Sequence, residues 1–338
     1  MSTETYVNPK ARESIQGKQQ VKSLAGKRFA DIFAGAGGFH QGMASEGAHC
    51  VAAVEIDRAA RETYIANHGS DFLFGEDIRE VSAASIPKAD IVCGGFPCQP
   101  FSIAGDGEGY QASGKGDLFF DIHRIVEAKR PKLILLENVP VFATHDGGFS
   151  CDFALDALAE LGYTVSLQVL NAAEYGVPQQ RERLFIVGVR LDLAAGAPPF
   201  LFPKGTDDSK VVADILESRI TSGRCTAKMK RVKPAAKAKR PILAGLIDGR
   251  NAQGYRVYSP QGRGVTLCAQ SGGPGGQTGL YLVAGKPRKL TPRECARMQG
   301  FPDSFKPHPS VFHARKQFGN SVAVPVVAAI AKAASAYL

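Results

Sequence analysis

The sequence predicts an α/β fold, a mostly parallel sheet with helices on both faces, joined to a small, mostly β domain. Three observations carry this expectation. Arg28 to Ala34 is an apolar run that passes into Gly35-Ala36-Gly37-Gly38 and a helix-like stretch to about Glu46, the strand, glycine turn and helix that open a nucleotide-binding unit. Further apolar runs follow, and three of them end near a carboxylate, at Glu55, Asp77 and Glu137. From Leu191 to Arg288 the alternation fades and Gly, Pro, Lys and Arg become frequent, which marks a domain change.

Residues 1–27 are polar without hydrophobic period and read as a loose arm. The second strand, His49 to Glu55, ends in an acid about 20 positions after the turn, placed to accept hydrogen bonds from ribose hydroxyls. The glycine spacing is not Gly-x-Gly-x-x-Gly, so a pyrophosphate cradle for a dinucleotide is not supported. Asp90 to Cys93 is short and apolar, as a buried parallel strand would be, and runs into Gly94-Gly95-Phe96-Pro97-Cys98-Gln99-Pro100. Two prolines fix torsions on either side of Cys98, which marks it as a presented nucleophile rather than a structural thiol. Ser102 to Lys115, rich in Gly and polar residues, has the composition of a lid. A helix to about Ala128, a strand Lys132 to Glu137, a helix near Cys151 to Leu161 and strands Thr164 to Leu170 and Leu184 to Val189 continue the alternation, with Gln179-Gln180-Arg181-Glu182-Arg183 before the last strand.

The expected division is residues 28–190 as one domain, 191–288 as a second, and 289–338 returning to the first. In the second, Gln253 to Tyr258, Gly264 to Leu267 and Thr278 to Val283 read as short strands joined by glycine loops. Thr291 caps a helix with Pro292 at its first position, and Gln317 to Val322 opens a last apolar helix.

At 338 residues, 44% hydrophobic and 22% charged, the composition is that of a globular protein with a sizeable core. Apolar runs fall short of the ~20 residues of a membrane span, and Met1 to Lys27 lacks a secretory apolar segment, so a cytoplasmic protein is expected. Seven cysteines without a Cys-x-x-Cys pair and seven scattered histidines point to neither a disulfide framework nor a metal site. The net charge is +9, and Leu191 to Arg288 holds 16 Lys and Arg against 6 Asp and Glu, or +10, leaving 25 against 26, or −1, elsewhere. Lys228 to Arg240 alone contains seven basic residues. A polyanionic partner for the second domain follows, nucleic acid rather than a membrane surface.

Pro97-Cys98-Gln99, Glu137-Asn138-Val139 and Gln-x-Arg-x-Arg ending at Arg183, with Asp31 to Phe39, Lys289 to Pro302 and Gln317 to Val322, resemble in order the motifs of the DNA cytosine C5-methyltransferases, from about Arg28 to Val324. The resemblance implies a Rossmann-like, S-adenosylmethionine-dependent methyltransferase fold with a target-recognition domain at 191–288. It implies S-adenosyl-L-methionine as cofactor, S-adenosyl-L-homocysteine as product, and methyl transfer to carbon 5 of a cytosine flipped out of duplex DNA. Cys98 would add to carbon 6, Glu137 would act at N3, and Arg183, assisted by Arg181, would hold the exocyclic oxygen. Phe33, Gly35, Gly37, Gly38, Glu55, Ile56, Asp77, Pro97, Leu118, Asn320 and Ser321 would form the cofactor site. Gln253 to Ser259, Thr266-Leu267 and Thr278 to Val283 resemble the HhaI-type (GCGC) class within that family. On that basis Gln253 fills the gap left by the displaced base, Arg256 reads a guanine, and Tyr258 and Thr266 complete the DNA-binding set. Tyr255 stands where that class has an acid. Double-stranded DNA is the expected partner of a monomeric chain, with no membrane and no metal, and a cognate restriction endonuclease is compatible. A tRNA cytosine C5-methyltransferase and a catalytically silent DNA- and cofactor-binding regulator are the alternatives.

Overall fold

A computed structural model describes residues 23–97, 118–194, 199–206, 209–218, 220, 225–231 and 239–338. Cys98, the lid composition after it, residues 1–22 of the polar arm and 232–238 of the basic run lie outside the described residues.

The glycine turn falls where its sequence places it. Strand β1 (Arg28–Ile32) leads through it into helix α1 (Gly38–Ser45), followed by β2 (His49–Val54), α2 (Arg58–His68) and β3 (Leu73–Gly75). Then come β4 (Ile91–Gly95), α3 (Leu118–Lys129), β5 (Leu133–Asn138), α4 (Phe149–Glu160), β6 (Tyr163–Asn171), β7 (Glu182–Arg190) and the short α5 (Leu191–Ala194). Among the described residues these strands form a seven-stranded sheet in the order β3-β2-β1-β4-β5-β7-β6. Pairings from β3 to β5 are parallel, and β7 runs antiparallel to both its neighbours. Side chains alternate between two cores across the central strands. Ile91, Cys93, Leu133 and Leu135 join Phe39 and Met43 of α1 on one face. Val92, Ile134 and Leu136 join Phe119, Ile122 and Val126 of α3 on the other. Burial on both faces explains why these strands read as unbroken apolar runs.

The strand order reverses direction between β1 and β4, so their carboxyl ends diverge from one crevice, the usual ligand position in open α/β sheets. Gly94 is dictated by this junction: a Cβ there would lie 2.1 Å from the Ile32 carbonyl oxygen.

The second sheet contains β8 (Met229–Arg231), β9 (Ile242–Ile247), β10 (Arg256–Ser259), β11 (Leu280–Val283) and β12 (Lys286–Arg288), in the order β12-β11-β10-β9-β8. Strands β8 and β9 were not anticipated, whereas the strand expected at Gly264 to Leu267 is absent: that segment contributes only an isolated bridge, Gln179 to Gly264. Gln253–Tyr255 is a 3-10 turn rather than the start of β10.

The chain returns through α6 (Pro292–Met298), α7 (Val311–Asn320) and α8 (Val324–Ala334). The Thr291 hydroxyl accepts from Glu294 N at 3.1 Å and the Glu294 carboxylate from Thr291 N at 2.8 Å, a reciprocal cap. At the same junction Arg288 and Glu294 form a buried two-pronged pair, both bonds 2.7 Å. The expectation that Gln317 to Val322 opens a helix is corrected: α7 ends at Asn320, and the last apolar helix starts at Val324. Helix α8 lies on α1 with Val326, Val327 and Ile330 in the first core, each worth roughly 1.5–3 kcal/mol of burial. By length and composition Val311–Tyr337 would suffice to cross a membrane, but Ser321 to Ala323 interrupts it and α8 packs into the core.

Candidate active site

Phe33, Gly35, Glu55, Ile56, Pro97, Leu118, Glu137, Arg181, Arg183 and Asn320, ten residues singled out from sequence, line one cavity of about 400 Å³ at the crevice beside β1 and β4. The volume suits a small-molecule site.

One end is built by β1, β2 and α2. Glu55 follows β2 and accepts from Gly35 N at 2.8 Å and from Asp57 N at 2.7 Å. Burial raises its pKa, and the two amide donors oppose that shift. Ile56, beside it in the lining, is 62% exposed and offers an apolar cover for a flat ring. Gly35 has φ +55° and open space where a Cβ would stand. Two buried polar atoms of the lining, Asn138 Nδ2 and Gln317 Oε1, have no partner among the described residues. A carboxylate with spare lone pairs, an apolar cover and unpartnered polar atoms fit a nucleoside-bearing group.

Four of the expected cofactor residues stand outside the lining. Asp77 forms an ion pair with Arg79, whose side-chain hydrogen bonds hold the carboxylate down at about 2. Gly37, with φ +91°, caps α1, and a Cβ on it would strike His68 Nε2. Gly38 packs on Ser321, whose hydroxyl donates to the Val322 carbonyl.

At the other end, β7 runs against β5, so its first residues reach the carboxyl edge where β5 ends. Arg183 Nε consequently donates to Glu137 Oε1 at 2.9 Å, and both side chains are mostly buried. Burial raises the Glu137 pKa, opposed by Arg183 and then Arg181. Gly95, paired with Glu137 in the sheet, leaves room for its carboxylate. Pro97 at the rim is the last described residue before Cys98.

Arg181 lines the same cavity, where its Nε has no partner among the described residues, but its two Nη groups are spent on backbone carbonyls. It is 2% exposed, and its donors go to the carbonyls of Leu267, Gly319 and Ser321 at 3.0, 3.0 and 2.8 Å. Burial, then Arg183, lowers its pKa to about 9, which leaves a cation at neutral pH. It ties Leu267, between β10 and β11, to the segment that carries Asn320. Thr266 strengthens that tie, its hydroxyl donating to the Gln180 carbonyl at 2.5 Å, and Leu267 N donates to Gln179 Oε1 at 2.9 Å.

Asp57, Lys316 and Gln317 also line the cavity and were not singled out. Lys316 Nζ donates to Asp57 Oδ2 at 2.6 Å, and Gln317 Nε2 to the Ala59 carbonyl at 2.9 Å, so α7 is clasped to the start of α2. The available signal was the adjacency of Asp57 to Glu55 and of both α7 residues to Asn320.

Among the DNA-binding candidates, Gln253 is exposed and borders a shallow depression with Thr266. Arg256 is half-buried, and its guanidinium is held by Asn251. Tyr258 corrects the expectation: it is 6% exposed, its ring centroid 6.1 Å from that of Tyr281, and it belongs to the core shared by the second sheet and α6.

The fold is that of an α/β protein with a cavity at its switch point, a carboxylate held by two backbone amides at one end and a mostly buried acid–guanidinium pair at the other. Residues 27–336 match the family described as C-5 cytosine-specific DNA methylase. The chain is 44% identical to the type II methyltransferase M.HhaI of Haemophilus parahaemolyticus over 319 residues, 92% of this chain and 94% of that protein. It is 40% identical to the type II methyltransferase M.NlaX of Neisseria lactamica over 320 residues, 92% of this chain and 97% of that one. A crystal structure of a Spodoptera frugiperda DNMT2 variant shares the fold, with TM-score 0.70 at 20% identity, covering 89% of this chain and 97% of that one. The chain belongs to the C-5 cytosine-specific DNA methylase family, as a DNA (cytosine-5-)-methyltransferase with the family's S-adenosylmethionine-dependent chemistry.

Proposed function

We propose that the chain methylates carbon 5 of a cytosine flipped out of duplex DNA at one short site, GCGC or a related sequence, through a covalent Cys98 adduct at carbon 6. The single observation that carries the reading is the Glu137–Arg183 pair standing in the same cavity as Glu55 and Ile56, at the edge from which the chain leaves toward Cys98.

Glu55, Ile56, Phe33, Leu118 and Asn320 would hold S-adenosylmethionine, with Asn138 and Gln317 offering their unpartnered atoms. Bound there, it supplies a methyl group on a positively charged sulfur. Cytosine carbon 5 is a poor nucleophile until the Cys98 thiolate adds at carbon 6, which places negative charge on the ring. Glu137, disposed by burial to keep its proton, donates at N3 and offsets that charge. Arg183 orients Glu137 and directs its remaining donors to the exocyclic oxygen. With carbon 5 carrying the methyl group, loss of its hydrogen to a base and expulsion of the Cys98 thiolate, as the N3 proton returns to Glu137, would give 5-methylcytosine. A stacked base is out of reach of this cavity, so the cytosine must leave the helix, with Gln253 from the exposed turn entering the gap. Residues 191–288 act as the target-recognition domain, and their basic excess supplies phosphate attraction. Close identity to M.HhaI over nearly the whole chain supports GCGC, with Arg256 reading a guanine through O6 and N7.

The test is a duplex carrying 5-fluorocytosine at the target, whose fluorine cannot leave as a proton. With S-adenosylmethionine present, a stable protein–DNA species of the summed mass plus one methyl group is expected with wild-type protein and none with Cys98→Ala. Equal trapping by both proteins would remove Cys98 from the mechanism.

A further inference from the structure

We propose that Asn251 is a positioning residue for base reading: it holds one edge of the Arg256 guanidinium so that the other edge is presented to guanine. This rests on the reading of Arg256 above and extends it to a residue that has no part in the motifs. Asn251 lies between β9 and β10, and Arg256 opens β10 opposite Leu246. The Nε of Arg256 donates to Asn251 Oδ1 at 3.0 Å and its Nη2 to the Asn251 carbonyl at 3.2 Å.

A guanidinium has five N–H groups in a fixed plane. Asn251 takes the Nε hydrogen and one Nη2 hydrogen, which form the side edge of that plane. Nη1 and the second Nη2 hydrogen remain, and these form the end-on fork whose two parallel donors suit guanine O6 and N7. One acceptor residue thereby fixes both the direction of the fork and its rotation about the side-chain axis. An unrestrained arginine loses most of its rotamer freedom on binding, whereas here that loss is taken when the protein folds.

The platform beneath the pair is itself fixed. Gly254 N–Cα–C backbone packs so closely on the glycine loop that a Cβ on it would lie 2.0 Å from the Gly272 carbonyl oxygen, and Gly275 N donates to the Gly254 carbonyl at 2.7 Å. Arg250 lies over the Tyr255 ring, its Cζ 5.1 Å from the centroid, and donates to the Tyr255 hydroxyl at 3.2 Å. The neighbouring arginine is therefore engaged by an aromatic side chain, and Arg256 is the one aimed by a polar clamp.

The experiment measures single-turnover methylation of a duplex library in which each base flanking the target cytosine is varied, for wild type, Arg256→Ala, Asn251→Ala and Asn251→Asp. Arg256→Ala should lose discrimination at one position. Asn251→Ala should lose about ten-fold of its discrimination at that same position, through a slower rate on duplexes with the preferred base there and an unchanged rate on the others, with the melting temperature little changed. Asn251→Asp keeps an acceptor for Nε and should discriminate as wild type does. Unchanged discrimination in Asn251→Ala, an even loss of rate on every duplex, or an Asn251→Asp protein that behaves like Asn251→Ala would overturn the proposal while leaving Arg256 as a reader. Unchanged discrimination in Arg256→Ala would instead overturn the reading of Arg256, and the role of Asn251 with it.

Discussion

Replacing Arg181 with methionine separates a structural tie from a substrate contact. The guanidinium gives three hydrogen bonds to carbonyls, and Ser321 keeps a second donor, Gln299 Nε2 at 3.2 Å. Two acceptors, on Leu267 and Gly319, therefore lose the donor that Arg181 provides. Each orphaned acceptor costs about 1–3 kcal/mol, and relief from desolvating a buried cation offsets part of the sum, leaving a net loss of roughly 3 kcal/mol. In a chain of this size that corresponds to a fall in melting temperature of roughly 4 °C. Thermal unfolding followed by circular dichroism checks the magnitude, and calorimetric titration should show weaker S-adenosylmethionine binding, because Gly319 and Ser321 flank Asn320 of the cavity. Arg183→Met is the contrast: Glu137 takes up a proton when its cation is removed, so stability changes less while methyl transfer collapses. An Arg181→Met protein that melts as wild type and binds cofactor normally, yet transfers no methyl group, would refute the tie and return Arg181 to the substrate.

Glu137→Gln should lower the methylation rate about 100-fold or more while cofactor affinity stays within two-fold, read by single-turnover transfer and calorimetry. Because burial raises the Glu137 pKa, its proton is retained above the usual carboxylate range and lost as pH rises further, so the wild-type rate should decline on that alkaline limb. The Glu137→Gln rate should lack that decline, and an unchanged limb would assign it to another group. Ile56→Ala should weaken S-adenosylmethionine binding roughly five-fold through lost apolar cover, with the rate at saturation unchanged. Tyr258→Ala should destabilise the protein by about 3 kcal/mol, whereas Tyr258→Phe should bind DNA as wild type does, since the ring is core and not an interface.

The catalytic sheet was legible because its strands are buried on both faces and its turns are chemically marked. The run from Arg28 through Gly38, the Glu55 carboxylate and the Thr291–Pro292 helix start each carry their own local reason. Contacts between distant segments were not legible. Arg181 and Arg183 are two apart and look equivalent, yet what distinguishes them is a set of carbonyls 86, 138 and 140 positions away. Tyr258 entered the DNA-binding set through the resemblance alone, but Val257 and Tyr258 are both buried, one on each face of the strand, which a four-residue strand does not reveal in sequence. Helix α7 escaped notice because Pro307 and Pro309 precede it and Gly319-Asn320-Ser321 ends it, so its apolar period is short. Strand β8 lies inside a basic run whose composition resembles a solvated segment.

The most direct measurement is methyl transfer from labelled S-adenosylmethionine to unmethylated genomic DNA and, separately, to tRNA, followed by bisulfite sequencing of whatever is labelled. Label in DNA alone, at a cytosine within one short motif and at GCGC in particular, is the expected result. Label confined to tRNA, or none in either nucleic acid from protein that binds the cofactor, would contradict the assignment.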